Sequence, residues 1–149
     1  MNFHTEILKL KTSKELEFID ITNKIKKIFS KIKIKEGFIN IFSKHTTIAI
    51  EINEYEPQLL KDMEWLLKKI VPEKRKYFHD NSNLRKNCYL NEPANAKGHL
   101  RCMLMETFQI IPILNNKLQL GKYQQIFAIE TFGPREREII IQVIGEEGR

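Results

Sequence analysis

Three histidines are the side chains of this sequence best suited to chemistry. His45 stands at the start of an alternating polar and apolar segment, His79 directly precedes Asp80, and His99 lies within Gly98–Arg101. Neutral imidazoles with carboxylates nearby can hold a divalent metal that keeps one position open for water. The separations of 34 and 20 residues between these histidines match no compact ligand motif. A shared metal site and three separate hydrogen-bonded histidines are therefore both open interpretations.

Acidic and basic side chains offer further candidates for catalysis. The carboxylates that qualify by position are Glu51, Glu54, Asp62, Asp80 and Glu130. Arg101 and Arg135 have the planar guanidinium that binds phosphate or carboxylate with two parallel hydrogen bonds. Solvated surface positions remain the alternative for all of these groups. The sequence contains no serine–histidine–acid order, nucleophile elbow, phosphate loop or dinucleotide fingerprint, which excludes the enzyme classes defined by those motifs.

The segment that follows His45 is predicted to be a strand with two unlike faces. Thr46, Ile48, Ile50 and Ile52 alternate with His45, Thr47, Ala49, Glu51 and Asn53. A strand points successive side chains to opposite sides, so the first set can pack a core while the second lines water or a site. Alternation alone places His45, Thr47, Glu51 and Asn53 on one face and leaves open what that face meets.

The other elements follow from apolar periodicity and from turn residues. Strands are predicted at 5–10, 17–21, 38–43, 107–114, 118–130 and 138–144, and helices at 22–34, 57–70 and 95–103. Thr22 suits a helix N-cap, Pro57 suits a first helical turn, and Asn115-Asn116 suits a tight hairpin because asparagine tolerates positive φ. We predict one α+β domain over residues 1–149, with a largely antiparallel sheet and two main helices on one face. The remaining face must be solvated or buried in an oligomer.

Composition and charge narrow the class of protein. The chain has 149 residues, 42% of them hydrophobic, and a net charge of +6. Much of the positive excess lies in lysines interspersed with isoleucines between Lys24 and Lys35. This is the pattern of an amphipathic helix whose lysine face is solvated. Binding to nucleic acid is therefore not expected. No apolar run is long enough to cross a membrane and no secretory signal is visible. We expect Cys88 and Cys102 to be free thiols in the cytoplasm.

Six motifs in order resemble the YjbQ-like family of small proteins. They are Ser43–Ile50 with Ile52–Glu54, Asp62-Met63, Tyr77–Asp80, Asn95 with Gly98–Arg101, Leu120–Ile126 and Gly133–Arg135. The resemblance covers about residues 19–145. Two departures concern substrate fit more than fold: Tyr123 stands where a tryptophan is usual, and Lys97-Gly98 replaces the usual small pair before the histidine.

The resemblance implies an α+β fold that assembles as a homotrimer, with a pocket lined by the matching motifs. It implies a divalent metal, zinc foremost, held by His45, His79 and His99. It also implies an anion site, for which Arg101, Lys97 and Lys122 are the candidates. Thr46, Thr47, Asn95 and Gln125 are the further residues expected to bind a ligand.

The activity implied is the secondary thiamine phosphate synthase activity associated with this family. That reaction joins a pyrimidine diphosphate to a thiazole phosphate and releases pyrophosphate. The leading hypothesis is an enzyme that acts on a phosphorylated small molecule, with His45, His79, His99 and Arg101 as catalytic residues. The alternative is a non-catalytic trimer that binds a metabolite or a metal in the same pocket.

Overall fold

Two antiparallel sheets form the framework of the molecule in the computed structural model, which describes residues 1–86 and 92–147. The strands are β1 (Asn2–Lys11), β2 (Glu17–Asp20), β3 (Glu36–Ser43), β4 (Ile48–Asn53), β5 (Phe108–Leu114), β6 (Lys117–Leu118), β7 (Gln125–Glu130) and β8 (Glu136–Glu146). The helices are α1 (Thr22–Phe29), α2 (Pro57–Ile70) and α3 (Ala96–Met103), and short 3₁₀ turns cover Phe78–Asp80 and Ser82–Leu84. One sheet has the order β1-β8-β3-β5-β6 and the other has the order β2-β7-β4. The predicted α+β class with largely antiparallel strands is confirmed.

Alternating isoleucines build the main core between the two sheets. Ile39 and Ile41 of β3 and Ile139 and Ile141 of β8 point inward from the five-stranded sheet, where they meet Ile50 and others from the three-stranded sheet. Each of these side chains is at most 1% exposed. Such burial is worth about 1.5–3 kcal/mol per side chain. Each inward-facing isoleucine of these strands therefore contributes to the stability of the fold.

The helices cover two different parts of this framework. Helix α1 places Ile25, Ile28 and Phe29 in the main core. Helices α2 and α3 instead pack on the outer side of the three-stranded sheet, in a smaller apolar cluster that includes Met63 and Cys102. The helices were predicted, but their placement on one face is wrong: α1 and α2 pack on different sides of the three-stranded sheet, because the strands divide into two sheets with a core between them.

Several element bounds differ from the prediction for local reasons. Helix α1 ends at Phe29 instead of near 34. The chain turns there, and Ile34 is fully buried in the main core instead of continuing the helix. It begins at Thr22, whose hydroxyl exchanges hydrogen bonds with the backbone of Ile126 and caps no helical N–H. The predicted strand 118–130 is interrupted by a turn at 121–124, which the Gln124 side chain closes by accepting a hydrogen bond from the Gly121 N–H.

The predicted polar face of β4 meets a second core instead of open water. Strand β4 starts at Ile48, so His45 lies in the segment before it. Ala49 is fully buried against Phe127 and Ile129, in the smaller cluster beneath α2 and α3. The alternation was predicted correctly, but both faces are covered over Ile48, Ala49 and Ile50, and only the end of the strand at Asn53 is exposed. The predicted asparagine turn is also confirmed, since Asn115 and Asn116 have φ values of 50° and 59°.

The side of the five-stranded sheet that faces away from the core carries many exposed apolar side chains, with a polar row of Thr5, Gln142 and Asn40 among them. We call this surface the outer face; its exposed members are Phe3, Ile7, Phe38, Phe42, Phe108, Ile110 and Leu114. Paired positions place Ile7, Ile140, Phe42 and Phe108 in one row across four strands. A solvated sheet face normally carries polar residues, so this surface is unusual for a monomer.

None of the helices in the described part of the chain combines the length and the apolar character that crossing a lipid bilayer needs.

Candidate functional site

The site begins with two imidazoles that the fold brings together. His79 lies in the first 3₁₀ turn and His99 lies in α3, and their ring centroids are 5.1 Å apart in an edge-to-face arrangement. The Nε2 atom of His79 is buried and has no hydrogen-bond partner among the described residues. A buried nitrogen in this state is uncommon, because native proteins satisfy most buried polar atoms. The pair is therefore suited to binding a ligand or transferring a proton.

The start of α3 holds the residues next to this pair. The Asp80 carboxylate accepts a hydrogen bond from the Ala96 N–H at 2.9 Å, which ties the 3₁₀ turn to the first turn of α3. The buried Oδ1 of Asn95 has no hydrogen-bond partner within the described ranges. Asp80 thus fixes the relative position of the two histidines, while Asn95 adds an oxygen acceptor four residues before His99.

The third predicted histidine, His45, lies in a separate polar cluster. Its Nε2 accepts a hydrogen bond from the Glu138 N–H at 3.1 Å, and this bond commits one ring nitrogen to β8. Across residues 1–86 and 92–147, no three His, Cys, Asp or Glu side chains are grouped so that they could hold a metal ion. The structure therefore unites His79 with His99 and leaves His45 apart from them. A metal held by all three histidines stays a prediction.

The cluster around His45 contains a buried ion pair. Arg137 donates two hydrogen bonds to the Glu130 carboxylate, at 2.6 and 2.7 Å, and a third to the Thr47 hydroxyl at 2.8 Å. Glu130 is fully buried and also accepts hydrogen bonds from the Thr12 hydroxyl and the Phe132 N–H. This ion pair holds in place the turn after β7 and the segment that carries His45.

Thr131 connects the two clusters. Its hydroxyl contacts the carbonyl oxygens of Thr47 at 2.7 Å and of Gly98 at 2.9 Å. A side chain at position 98 would not fit, since an added Cβ would lie 2.7 Å from the Phe132 Cβ. Gly98 thus lets α3 approach the Thr131 turn closely. The Thr131 hydroxyl therefore links Thr47, two residues after His45, to Gly98, the residue before His99.

Arg101 lies on the other side of α3 from His99. It is fully buried, donates one hydrogen bond to the Val71 carbonyl at 3.1 Å, and lies 3.7 Å from carboxylate oxygens of Glu15 and Glu73. At about 100° per residue, positions 99 and 101 point in directions about 160° apart. The predicted catalytic arginine and histidine are neighbours in sequence but contact different partners.

The remaining predicted ligand residues are dispersed. Thr46 is exposed, and Thr47 is buried against Arg137. Gln125 accepts a hydrogen bond from the Tyr55 N–H at 3.0 Å. It lines a cleft of ≈ 610 Å³ that also contains Lys26 and Lys122. Cys88 lies outside the described residues.

Burial favours the neutral forms of His45, His99 and the Cys102 thiol. The pKa of His99 is lowered by burial and by the neighbouring His79, and that of His45 by burial and by Arg137 and Lys44. A neutral imidazole is the form that accepts a proton or binds a metal. Burial raises the pKa of Cys102 to about 11, which leaves this thiol protonated and unreactive at neutral pH.

Comparison with known proteins assigns the chain to a family. The family described as UPF0047 protein YjbQ-like matches residues 6–146. The chain belongs to the YjbQ-like family. The resemblance inferred from the six motifs is thus confirmed.

YjbQ-like relatives match over most of their length. A UPF0047 protein of Methanothermobacter thermautotrophicus is 39% identical, over 98% of this chain and 95% of the relative. The YugU protein of Bacillus subtilis is 30% identical over 93% of this chain and 97% of its own. The match therefore includes all the segments that carry the candidate residues.

Crystal structures of YjbQ-like proteins share the fold. A protein from Sulfolobus solfataricus, described as YbjQ-like and of unknown function, superposes with a TM-score of 0.86 at 32% identity and covers 97% of this chain and 99% of its own. A YjbQ-like protein from Clostridium acetobutylicum gives 0.81 at 34% identity, over 93% of this chain and 99% of its own. The arrangement of two sheets and three helices is thus that of the family.

We expect the stability of this YjbQ-like chain to fall as pH drops below the ordinary histidine pKa of 6.5. The folded-state pKa of both His45 and His99 is lowered, so the unfolded chain binds more protons in this window and acidification favours unfolding. Urea unfolding of chelator-treated protein between pH 7.5 and 5.5 measures this slope. His99→Gln should flatten it in part, and an equal slope in that variant would contradict the assignment.

Arg137 and Thr131 are residues of the site that sequence reasoning missed. A signal for Arg137 was present: in the alternation of β8 it shares the inward-facing parity of Ile139 and Ile141. A charged residue at an inward position needs a buried partner. No comparable pattern marks Thr131, whose partners lie 84 and 33 residues away in sequence.

Proposed function

We propose that this chain is an enzyme that acts on a phosphorylated small molecule, of the class joined in thiamine phosphate synthesis. The observation that carries the proposal is the His79–His99 pair, in which a buried ring nitrogen has no partner among the described residues. The chain belongs to the YjbQ-like family, and the class of reaction is the one that the resemblance to this family implies. The cluster of His45, Glu130 and Arg137 positions the neighbouring loops.

The proposed reaction replaces a diphosphate on the pyrimidine carbon by the nitrogen of a thiazole phosphate. The carbon–oxygen bond breaks with its electron pair on the diphosphate, and the ring nitrogen supplies the pair for the new carbon–nitrogen bond. Such a reaction needs stabilisation of the charge on the leaving group and a site that orients the two partners. It needs no covalent nucleophile, consistent with the protonated Cys102 thiol.

His79 and His99 are the residues of this chain that would hold a divalent metal. Two imidazole nitrogens are donors that suit zinc, and the amide oxygen of Asn95 is a donor of the type that harder cations take. A bound cation would neutralise part of the diphosphate charge. We keep His45 as a third metal ligand in the proposal. It could bind only through Nδ1, because its Nε2 accepts a hydrogen bond from the Glu138 N–H.

Two cationic residues could bind the phosphate groups. They lie on the side of α3 that faces away from His99. Lys97 and Arg101 are one helical turn apart and both contact Glu15. We assign them, and not Lys122, to the phosphorylated part of the substrate, because Lys122 is exposed in the cleft at Gln125.

Assembly as a homotrimer is the second part of the proposal. The outer face carries exposed apolar side chains in two rows that a partner of the same chain would bury, and the family resemblance implies three copies. A self-complementary or ring-forming interface needs a surface of this kind. We therefore propose that the outer face forms the contact between subunits.

Replacement of either paired histidine should abolish most of the activity. We expect His79→Gln and His99→Gln to lower thiamine phosphate formation by about 100-fold or more, the usual loss for a positioned acid, base or charge-stabilising group. Zinc content should fall in the same variants. Product formation from a pyrimidine diphosphate and a thiazole phosphate measures the first effect, and elemental analysis of the purified protein measures the second.

His4→Gln is the matched control for this experiment. His4 is another histidine whose buried Nε2 has no partner in the described part of the chain, but it lies on β1. Its replacement should leave activity and zinc content unchanged. Full activity in His79→Gln and His99→Gln, or saturable substrate binding by the native chain with no product, would overturn the enzyme proposal in favour of a binding protein.

A further inference from the structure

The turn between β1 and β2 places a carboxylate against α3. A carboxylate oxygen of Glu15 lies 2.7 Å from the Lys97 Nζ and 3.7 Å from the Arg101 Nη1. The backbone of the same turn is anchored, since the Glu15 carbonyl accepts a hydrogen bond from the Gly133 N–H at 3.1 Å. Two cationic side chains thus converge on one carboxylate of a neighbouring loop.

Arg101 is poorly satisfied by this carboxylate. Its guanidinium has five N–H donors, yet Nε and Nη1 are buried without a hydrogen-bond partner among the described residues. The distance of 3.7 Å to Glu15 is too long for a hydrogen bond. A fully buried cation with unused donors is costly, and an acceptor with more oxygens than a carboxylate would satisfy it better.

The two cationic side chains of this cluster are mostly buried, whereas the carboxylate between them is accessible to solvent. The Arg101 side chain is 0% exposed and the Lys97 side chain is 20% exposed, whereas the Glu15 side chain is 43% exposed. Rotation of Glu15 into solvent therefore requires no change in the packing of α3. The cations would remain in place, facing the position that the carboxylate had left.

We propose that Lys97 and Arg101 form a binding site for a phosphate or diphosphate group, and that Glu15 occupies this site until the anion displaces it. The inference rests on the proposed function for the class of ligand. A phosphate group has the same charge sign and oxygen chemistry as a carboxylate but offers an additional oxygen to the unused Arg101 donors. Glu15 then acts as an internal competitor that sets the affinity for the phosphorylated ligand.

Glu73 supplies a matched comparison within the same cluster. Its carboxylate is also 3.7 Å from Arg101, but at Nη2, which already donates to the Val71 carbonyl. Its side chain is 49% exposed and its other cationic neighbour is Lys68, at 3.9 Å. Removal of the Glu73 charge changes the field at Arg101 without opening the position between Lys97 and Arg101.

Titration of chelator-treated protein with inorganic pyrophosphate tests the proposal. Glu15→Gln should bind pyrophosphate about tenfold more tightly than the native chain, corresponding to the loss of one charge-assisted competitor. Glu73→Gln should change the affinity by less than about threefold. Lys97→Gln should weaken binding about tenfold. Inorganic phosphate, titrated in parallel, shows whether one phosphate group is enough or a diphosphate is required.

Equal affinities for Glu15→Gln and Glu73→Gln would overturn the proposal, because they would show a general effect of charge. Absence of pyrophosphate binding to all forms would overturn it as well. Both results are independent of catalysis: loss of activity in the histidine variants tests the proposed enzyme, whereas pyrophosphate affinity in the Glu15 and Lys97 variants tests only this site.

Discussion

Arg137→Met is expected to lower the free energy of unfolding by about 3–5 kcal/mol. The substitution leaves the Glu130 carboxylate, which is fully buried, without the two hydrogen bonds that Arg137 donates. The remaining donors, Thr12 and Phe132, carry no charge. Urea unfolding at pH 7 measures the difference from the native chain.

The exposed pair Lys44–Glu138 provides the control. Its charged atoms are 2.9 Å apart, but the side chains are 48% and 38% exposed. Lys44→Met should therefore cost no more than about 1 kcal/mol. A double replacement, Glu130→Met with Arg137→Met, should recover part of the stability because no lone charge remains buried. Stability of Arg137→Met within 1 kcal/mol of the native value would contradict the structural role of the pair.

If the chain assembles as the proposed homotrimer, Phe42→Glu is expected to convert it into single chains. Phe42 lies near the middle of the outer face and pairs with Phe108 on β5 and Ile140 on β8. A carboxylate at this position would be buried without a partner in any interface formed by the outer face. The substitution also removes a central aromatic side chain, and such side chains commonly contribute about 2 kcal/mol or more each, on the order of a 30-fold change in affinity per subunit contact. Light scattering after size-exclusion chromatography measures the mass.

Trp65→Glu is the matched control for assembly. Trp65 is an exposed aromatic residue too, at 62%, but it lies on α2, on the opposite side of the molecule from the five-stranded sheet's outer face. Its replacement should leave the mass at three chains. A native protein that elutes as a single chain, or a Phe42→Glu variant that keeps the native mass, would count against the proposed interface.

Local patterns were sufficient to predict most elements of the fold. Helix α2 was predicted with the bounds that the structure gives it, because Pro57 and Pro72 bracket an apolar stripe at helical spacing. The Asn115-Asn116 turn was predicted from residue type, since asparagine tolerates positive φ. Prediction was weaker where tertiary contacts override propensity: α1 is shorter because the core takes Ile34 out of the helix.

The candidate site could be predicted as a set of residues but not as an arrangement. His45, His79 and His99 were selected by type and motif, yet only His79 and His99 form a pair. The position of His45 depends on the register of β8, which brings the Glu138 N–H to its ring. Such a register is set by packing along the whole strand and has no signature near residue 45.

What the sequence by itself determined is the family, the order of helices and strands, and the side chains capable of chemistry, because alternation, helix-end residues and motifs are local properties of the chain. Only the tertiary structure decided which of those side chains meet. It separated His99 from Arg101 on the two sides of α3, buried Arg101 beside Glu15, and paired Glu130 with Arg137. The physical reason is that contacts between distant segments depend on how sheets and helices pack together, and packing is a property of the whole fold.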